Sequence, residues 1–237
     1  MTISAPTQRH QILLVDDDLA ILDLYGDRLS AAGYPVSIAT TGEDALEEVT
    51  KCPPSAMILD IRLPDMSGLE VCKAIKENAT TSGVSIVMFT KHHKEGQQMV
   101  ADEMGADAYM LKDCSQEALL YCIKGLLETR IALPKQKLSV GPITLYPKQR
   151  EVTVKKKSIP TLTSQEFNLL GLLMQESPRV VSWQSLLEKV WGLSVPNMLY
   201  KAPPRIKICV EKLRRKLGPI SDFCLITHRS EGLNLIP

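Results

Sequence analysis

The sequence predicts an α/β domain with a five-stranded, doubly wound parallel sheet, followed by an α+β domain. Three observations indicate this division. Apolar runs alternate with helical patterns in the first half, the alternation stops near residue 129, and the sign of the net charge reverses between the halves. At 237 residues, the chain is also longer than a typical single domain of about 150 residues.

Five apolar runs in the first half have the length of buried strands. They are residues 12–15, 36–39, 56–60, 84–90 and 108–111. A helical pattern follows each run; after the first, apolar side chains recur at Leu22, Tyr25 and Leu29, and Gly33 closes the helix. The other helices are expected near residues 43–49, 69–78, 97–104 and 115–128. Strands that alternate with such helices predict a parallel sheet covered on both faces.

Polar side chains stand at the carboxyl ends of four of these runs. Asp16 and Asp17 follow the first, and Asp60 ends the third. Thr90 ends the fourth, and Lys112 follows the fifth. Because the carboxyl ends of parallel strands form one crevice, these side chains should converge there. Three acids, a hydroxyl and an ammonium in one crevice suit a phosphoryl acceptor that depends on Mg²⁺.

The order and spacing of these residues resemble the receiver domain of two-component response regulators, which has a flavodoxin/CheY-like fold. The resemblance covers residues 11–128, after an N-terminal tail of residues 1–10. It implies that Asp60 is the nucleophile, which takes a phosphoryl group from a histidine kinase or a small acyl phosphate. It also implies Mg²⁺ ligation by Asp16, Asp17, Asp60 and the carbonyl of Arg62, phosphoryl contacts from Thr90 and Lys112, and a switch formed by Thr90 and Tyr109.

The charges of the two halves are opposed. Residues 1–131 carry 20 acidic and 11 basic side chains, whereas residues 132–237 carry 7 acidic and 17 basic ones. The net charge of +1 therefore conceals an acidic domain, suited to gathering Mg²⁺, and a basic domain, suited to meeting phosphates. Docking of the two halves on each other is the alternative explanation for this pattern.

Residues 129–137 break the alternation and are interpreted as a linker to a second domain, residues 138–237. There, Thr163 and Glu166 stand three residues apart before an apolar helical pattern, which is the arrangement of a capping box. The other predicted elements are strands at 138–145 and 151–154, a helix that begins at 181–183, a helix over about 203–217, and final strands at 223–227 and 233–236.

This second half resembles the winged helix-turn-helix effector domain of the OmpR/PhoB family. The matching residues include Leu162, Thr163, Glu166, Phe167, Leu186, Leu187, Val190, Trp191, Gly192, Val210 and the run from Leu213 to Leu217. The third helix has apolar residues on one side and basic residues on the others, which fits the major groove of DNA. Candidate DNA contacts are Arg205, Lys207, Lys212, Arg214 and Arg215 on that helix and Arg229 on the wing.

The chain departs from the effector pattern at two places. Pro203 and Pro204 precede Arg205 where the family commonly has an arginine, and proline is tolerated in a first helical turn. Glu231 stands in the expected wing, where it would repel phosphate. The receiver also departs, because Gln98 and Cys122 are among positions that usually carry charge at the family's dimer contact.

Several classes of protein are excluded on the sequence. No run of eighteen apolar residues occurs and the first ten residues lack a hydrophobic stretch, so we expect no membrane span and a cytoplasmic protein. The six cysteines form no Cys-x-x-Cys pair, which argues against zinc or redox chemistry. A haloacid dehalogenase-type enzyme also uses an aspartate with Mg²⁺, but it needs a second aspartate where Arg62 stands.

The sequence therefore predicts a response regulator whose phosphorylation controls sequence-specific DNA binding and transcription. Expected partners are a histidine kinase, promoter DNA and RNA polymerase, with a homodimer on DNA. It is not expected to be an enzyme beyond promoting its own phosphorylation and slow dephosphorylation. Two alternatives remain open, namely a regulator that acts without phosphorylation and an effector domain that binds a protein partner rather than DNA.

Overall fold

The computed structural model describes most of the chain, namely residues 10–91, 97–128, 133–134, 136–192, 204–220, 224–229 and 231–237. The chain divides into two compact units, Met1–Leu127 and Glu128–Pro237. The predicted tail, apart from His10, and most of the predicted linker lie outside the described residues, as does Pro203.

A five-stranded parallel sheet forms the centre of the first unit, in the order β2-β1-β3-β4-β5. Its strands are β1 (Ile12–Val15), β2 (Val36–Ala39), β3 (Ala56–Leu59), β4 (Ser85–Thr90) and β5 (Ala108–Leu111). The register places Leu14 beside Ile38 on β2 and Ile58 on β3. The predicted doubly wound fold is confirmed.

Helices cover both faces of this sheet. They are α1 (Leu19–Ala31), α2 (Gly42–Lys51), α3 (Gly68–Glu77), α4 (Gln97–Met104) and α5 (Gln116–Glu128). Because successive strand residues point to opposite faces, Ile12 and Leu14 pack with α1 and α5, whereas Leu13 and Val15 pack with α2, α3 and α4. Tyr25 of α1 contacts Phe89 of β4 edge to face, with ring centroids 4.9 Å apart.

The helices α1 and α3 begin at side chains that cap them. Asp18 accepts a hydrogen bond from the Ala20 N–H at the start of α1. Ser67 and Glu70 form a capping box at the start of α3. Each cap satisfies backbone donors that a helix leaves unpaired at its first turn. These caps fix the loops after β1 and β3, which carry predicted site residues, to the first turns of α1 and α3.

The described residues of the second unit form two small antiparallel sheets and three α-helices. One sheet has the order β6-β7-β8-β9 and the other the order β10-β12-β11. The strands are β6 (Leu138–Val140), β7 (Ile143–Tyr146), β8 (Glu151–Val154), β9 (Lys157–Ser158), β10 (Val181–Ser182), β11 (Leu225–His228) and β12 (Gly232–Leu235). The helices are α6 (Ser164–Glu176), α7 (Trp183–Trp191) and α8 (Pro204–Leu217). The predicted α+β class is confirmed.

One predicted strand of this unit was wrong. Residues 138–145 were expected to form a single strand, but they form a hairpin in which β6 pairs with β7. Gly141 adopts a φ of 53°, which favours glycine, and Pro142 has no N–H to continue a ladder. Apolar residues alternate with polar ones on both sides of the turn, and this pattern concealed the break.

The buried apolar side chains described in the second unit pack into one large core. Phe167 and Leu170 of α6, Trp183 and Leu186 of α7 and Leu213 of α8 are all buried in it. The apolar residues of α8 lie on its buried side, as the spacing predicted.

Candidate functional site

Four strands of the first unit end at the same edge of the sheet. β1 leads to Asp16 and Asp17, and β3 leads to Asp60. Thr90 ends β4, and Lys112 follows β5. Since the strands are parallel, their carboxyl ends border one crevice. The crevice has a volume of about 560 Å³ and is lined by Asp17, Asp18, Asp60, Arg62, Leu63, Lys91 and Lys112.

Lys112 joins two acidic residues of this crevice. Its Nζ lies 2.5 Å from Asp16 Oδ2 and 2.7 Å from Asp60 Oδ2, and all three side chains are buried. The backbone of Lys112 is held as well, because its N–H donates to the Thr90 carbonyl and its own carbonyl accepts from the Tyr25 hydroxyl at 3.1 Å. Buried charges are stable only when they are paired in this way.

The loop after β3 packs tightly against Asp60. The Gly68 N–H donates to the Ile61 carbonyl at 2.8 Å. A Cβ at Gly68 would lie 1.9 Å from the carbonyl oxygen of Asp60, so only glycine permits this approach. One carboxylate oxygen of Asp60, Oδ1, accepts from the Ile61 N–H at 2.7 Å. The Asp60 carboxylate is therefore held on one oxygen by the backbone and on the other by Lys112.

Asp16, Asp17 and Asp60 could together hold a metal ion. One carboxylate oxygen from each lies within 4.8 Å of the others. Asp16 and Asp60 are buried while Asp17 is exposed, so solvent can reach the cluster. Burial raises the pKa of Asp16 above its usual value, although the hydrogen bond from Lys112 opposes the rise. A few carboxylate oxygens open to water form the kind of site that Mg²⁺ prefers.

The two predicted switch residues lie on adjacent strands. Thr90 is buried at the end of β4, and Tyr109 is half-buried on β5. The Tyr109 hydroxyl donates to Gln97 Oε1 of α4 at 3.4 Å. Burial raises the pKa of Tyr109, and the charge of Asp60 adds to this rise. Through this hydrogen bond, Tyr109 links β5, the strand that leads to Lys112, to α4.

In the second unit, α8 presents charged side chains outside its buried stripe. Lys207 and Arg215 are exposed, and Arg205 and Lys212 are partly exposed. Glu211 is exposed too and stands four residues from both Lys207 and Arg215, so this face is not uniformly basic.

Two further cations of α8 hold the domain together. Arg214 Nη2 donates to the Leu225 carbonyl and the Thr227 hydroxyl of β11, each at 2.8 Å. Lys216 Nζ lies 2.7 Å from Glu166 Oε2, the carboxylate that caps α6. Arg214 was predicted to contact DNA, and the guanidinium observed here is engaged within the protein.

The wing lies between β11 and β12. Arg229 and Glu231 are both exposed in the turn that joins these strands. A Cβ at Gly232 would lie 1.9 Å from the Val181 carbonyl oxygen, so glycine allows β12 to approach β10. The turn between β11 and β12 therefore presents a basic and an acidic side chain to solvent.

The sequences of both units match described families. Residues 12–124 match "Response regulator receiver domain", and residues 157–235 match "Transcriptional regulatory protein, C terminal". The chain is 34% identical to response regulator MprA of Mycobacterium leprae over 229 residues. This match covers 95% of the chain and 97% of MprA. The chain belongs to the two-component response regulators of the OmpR/PhoB type.

Other proteins similar to the regulator agree with this assignment. Response regulator MprA of Mycobacterium tuberculosis is 32% identical over 229 residues, covering 95% of the regulator and 96% of that protein. DrrB of Thermotoga maritima, an OmpR/PhoB homolog, is 27% identical with a TM-score of 0.51, over 97% of the regulator and all of that chain. A mutant of RitR is 20% identical with a TM-score of 0.78, over 95% of the regulator and 98% of that chain, and it shows the fold alone.

The sequence alone indicated no role for two residues in the loops that follow β3 and β4 of the regulator. Lys91, directly after Thr90, lines the crevice and forms an ion pair with Asp18 at 2.7 Å. The hydrogen bond from Lys91 lowers the pKa of Asp18, and the reciprocal contact raises that of Lys91. The sequence did carry one signal for Lys91. It directly follows Thr90, a predicted site residue at the end of β4, so its side chain could be expected near the crevice.

The second missed residue of the regulator is Asp65, in the loop after β3. Its Oδ1 accepts from the Gly42 N–H at 2.8 Å and its Oδ2 accepts from the Glu43 N–H at 2.9 Å. These hydrogen bonds lower the pKa of Asp65. Asp65 therefore ties the loop beside Asp60 to the first turn of α2.

No helix in the described part of the chain combines the length and the hydropathy that a membrane-spanning segment requires.

Proposed function

We propose that Asp60 accepts a phosphoryl group in an Mg²⁺-dependent reaction and that this modification controls sequence-specific DNA binding by the winged-helix domain. The donor would be a histidine kinase or a small acyl phosphate. The observation that carries the proposal is the buried Asp60 carboxylate, which contacts Lys112 on one side and stands within reach of Asp16 and Asp17 on the other. We propose that the regulator acts in the cytoplasm, where promoter DNA and RNA polymerase are found.

Asp60 is the best nucleophile among the crevice acids. Its carboxylate is oriented by the Ile61 N–H and by Lys112, whereas Asp17 is exposed and Asp16 is bound to Lys112 and to the Asp18 N–H. An oriented carboxylate requires little reorganisation before it attacks phosphorus. In that step an Asp60 oxygen bonds to phosphorus while the bond from phosphorus to the donor breaks, and the donor leaves with the electron pair.

The remaining crevice residues would balance charge. Asp16, Asp17, Asp60 and the carbonyl of Arg62 would hold Mg²⁺, which supplies positive charge to the phosphoryl oxygens when bound. Lys112 would pair with the new phosphoryl group, because its Nζ already lies 2.7 Å from Asp60 Oδ2. Thr90 would donate a hydrogen bond to that group from the adjacent strand.

Thr90 and Tyr109 would pass the change to the surface of the receiver. Movement of Thr90 toward the phosphoryl group would leave space beside it on β4, and Tyr109 is the aromatic residue on the neighbouring strand. Because the Tyr109 hydroxyl contacts Gln97, inward rotation of Tyr109 would break a contact to α4. The surface near α4 would thereby differ between the two states, which is the differential contact that a switch needs.

The winged helix would bind DNA through α8 and the wing. Lys207, Arg215 and Arg229 are exposed, and Arg205 and Lys212 are partly exposed, so we propose these five as contacts to phosphates or bases. Arg214 would act indirectly, because it joins α8 to β11. Homodimers would form on DNA with adjacent half-sites.

Phosphorylation is tested with the full chain, acetyl phosphate and Mg²⁺. Mass spectrometry should locate a single phosphoryl group on Asp60, and both EDTA and the Asp60→Asn variant should abolish it. Asp23→Asn is the matched control, because Asp23 is an exposed aspartate on α1 outside the crevice, and it should label normally. Labelling of another residue, or equal labelling in EDTA, would refute the assignment.

DNA binding is tested by selecting duplexes from a random-sequence pool with treated and untreated protein. Enrichment of a common sequence that strengthens after acetyl phosphate treatment is the expected result. Equal enrichment in both states would instead favour a regulator that acts without phosphorylation. Failure to enrich any sequence would favour an effector domain that binds a protein partner.

A further inference from the structure

A second cation stands at the mouth of the phosphoacceptor crevice. Lys91 Nζ lies 2.7 Å from Asp18 Oδ2, and the two side chains are 46% and 36% exposed. Both residues line the same crevice as Asp60 and Lys112. This ion pair spans 73 positions of sequence and links the residue after β4 to the cap of α1.

The roles already proposed for the crevice do not account for Lys91. Lys112 is the buried cation and is engaged with Asp16 and Asp60. Lys91 is more exposed, and Asp18 is its hydrogen-bond partner within the described chain. The charges of Asp16 and Asp60 also act on Lys91 and, after the bond to Asp18, contribute to its raised pKa. Because Lys91 lines the crevice together with Asp60 and Lys112, its charge acts where the phosphoryl group would enter.

We infer that Lys91 exchanges its partner during phosphorylation, leaving Asp18 and pairing with an oxygen of the incoming phosphoryl group. The inference rests on the proposed function of Asp60. With a small acyl phosphate, the bond from Asp60 to phosphorus forms as the bond from phosphorus to the acyl oxygen breaks. The carboxylate product leaves with the electron pair, and no proton is transferred. Lys91 acts by offsetting the negative charge that enters a crevice already lined with carboxylates.

The Asp18 pair is suited to such an exchange. An exposed ion pair contributes little to stability, so breaking it is easy. A phosphoryl group offers more negative charge and more acceptor oxygens than one carboxylate. The Lys91 ammonium would therefore form stronger charge-assisted hydrogen bonds to it than to Asp18. Asp18 consequently competes with the donor for Lys91, and the two halves of the ion pair have opposite effects on the reaction.

Because the two residues should have opposite effects, the experiment compares variants of Lys91 with a variant of Asp18. Initial rates of Asp60 labelling by acetyl phosphate are measured on the full chain at saturating Mg²⁺. Lys91→Ala should lower the rate about tenfold, because a charge-assisted contact to the reacting group is lost. Asp18→Asn should raise the rate about twofold or more, because asparagine still caps α1 but releases Lys91. Lys91→Arg should restore most of the rate.

A matched control is Lys51→Ala, which removes an exposed lysine from a surface ion pair with Glu47 on α2. Its labelling rate should equal that of the unmodified chain. Calorimetric titration with Mg²⁺ alone should show that Lys91→Ala binds Mg²⁺ at least as tightly, since a nearby positive charge is removed. Weaker Mg²⁺ binding in that variant would overturn the inference, because Lys91 would then shape the metal site.

The outcomes separate this inference from the proposed function. Equal rates in all variants, or a loss of rate in both Lys91→Ala and Asp18→Asn, would mean that the ion pair is inert or only structural, and either would reject the exchange. In those cases labelling of Asp60 in the unmodified chain still supports the proposed function. Absence of any labelling of Asp60 would reject both.

Discussion

Arg214 of α8 donates a hydrogen bond to the hydroxyl of Thr227 on β11 at 2.8 Å. The same nitrogen donates to the carbonyl of Leu225, also at 2.8 Å. These bonds join the helix proposed to enter the major groove to the strand that leads into the wing. Arg214 therefore sets the position of α8 relative to β11 within the winged helix.

We predict that Arg214→Lys lowers the free energy of unfolding of the effector domain by about 1 kcal/mol, because lysine cannot reproduce the contacts of a guanidinium. Urea unfolding followed by tryptophan fluorescence measures this domain selectively, since both tryptophans, Trp183 and Trp191, lie in it. The salt dependence of DNA affinity should change little. Unchanged stability with a reduced salt slope would show that Arg214 is a direct phosphate contact.

The exposed cations of α8 should behave differently. Lys207→Ala and Arg215→Ala should each reduce the slope of log affinity against log salt by about one unit, because each variant loses one phosphate contact. Lys157→Ala, which removes an exposed lysine from β9, is the control and should keep the slope. Slopes that stay equal in all three variants would exclude α8 as the phosphate-binding surface.

A buried ion pair of the receiver gives a third prediction. Lys76 Nζ lies 2.6 Å from Asp107 Oδ2, with the side chains 3% and 2% exposed. Lys76 also donates to the Val84 carbonyl, and Asp107 accepts from the Ile86 N–H. The pair thus links α3 to the residue that precedes β5 and to the start of β4.

Asp107→Asn should destabilise the receiver by about 3–5 kcal/mol, because it leaves the Lys76 charge buried without its partner. The double variant Lys76→Met with Asp107→Asn should lose less. Hydrogen exchange in peptides from β4 and β5 measures the effect within the receiver. Lys51→Ala is the control for an exposed pair and should leave hydrogen exchange in these peptides nearly unchanged. A double variant less stable than Asp107→Asn would contradict this explanation.

The fourth prediction concerns dimerisation of the phosphorylated receiver. The family resemblance places charged residues at the positions of Gln98 and Cys122, and neither of these side chains carries a full charge, so a contact held by ion pairs should be weak. Met99 and Tyr121 are large apolar side chains that are 54% and 67% exposed. We expect dimerisation to use these apolar residues and to resist salt.

Sedimentation of acetyl-phosphate-treated protein at low and high salt measures this directly. Met99→Ala with Tyr121→Ala should weaken the dimer at both salt concentrations. Ile38→Thr is the control, because Ile38 is 59% exposed on β2, at the edge of the sheet. A tight dimer that dissociates as salt is added would show that the charge network persists.

The sequence alone determined the strands of the receiver and the residues that converge at their carboxyl ends. Apolar runs predicted the five strands of the receiver, and Thr163 with Glu166 predicted the capping box of α6, which the structure confirms. These signals are local, because strand burial, helix spacing and capping each depend on residues a few positions apart. Parallel order then brings Asp16, Asp60 and Lys112 together without further information.

Only the tertiary structure decided which partner each charged side chain meets. Lys91 and Asp18 are 73 residues apart, and Lys76 and Asp107 are 31 apart, and no local pattern encodes either pair. A lysine in a sequence can be solvated, paired or buried, and the choice depends on which acceptor the packed elements place within reach. The role of Arg214 depended on the same condition, because the helix pattern leaves it off the apolar stripe and only the position of β11 engages it inside the domain.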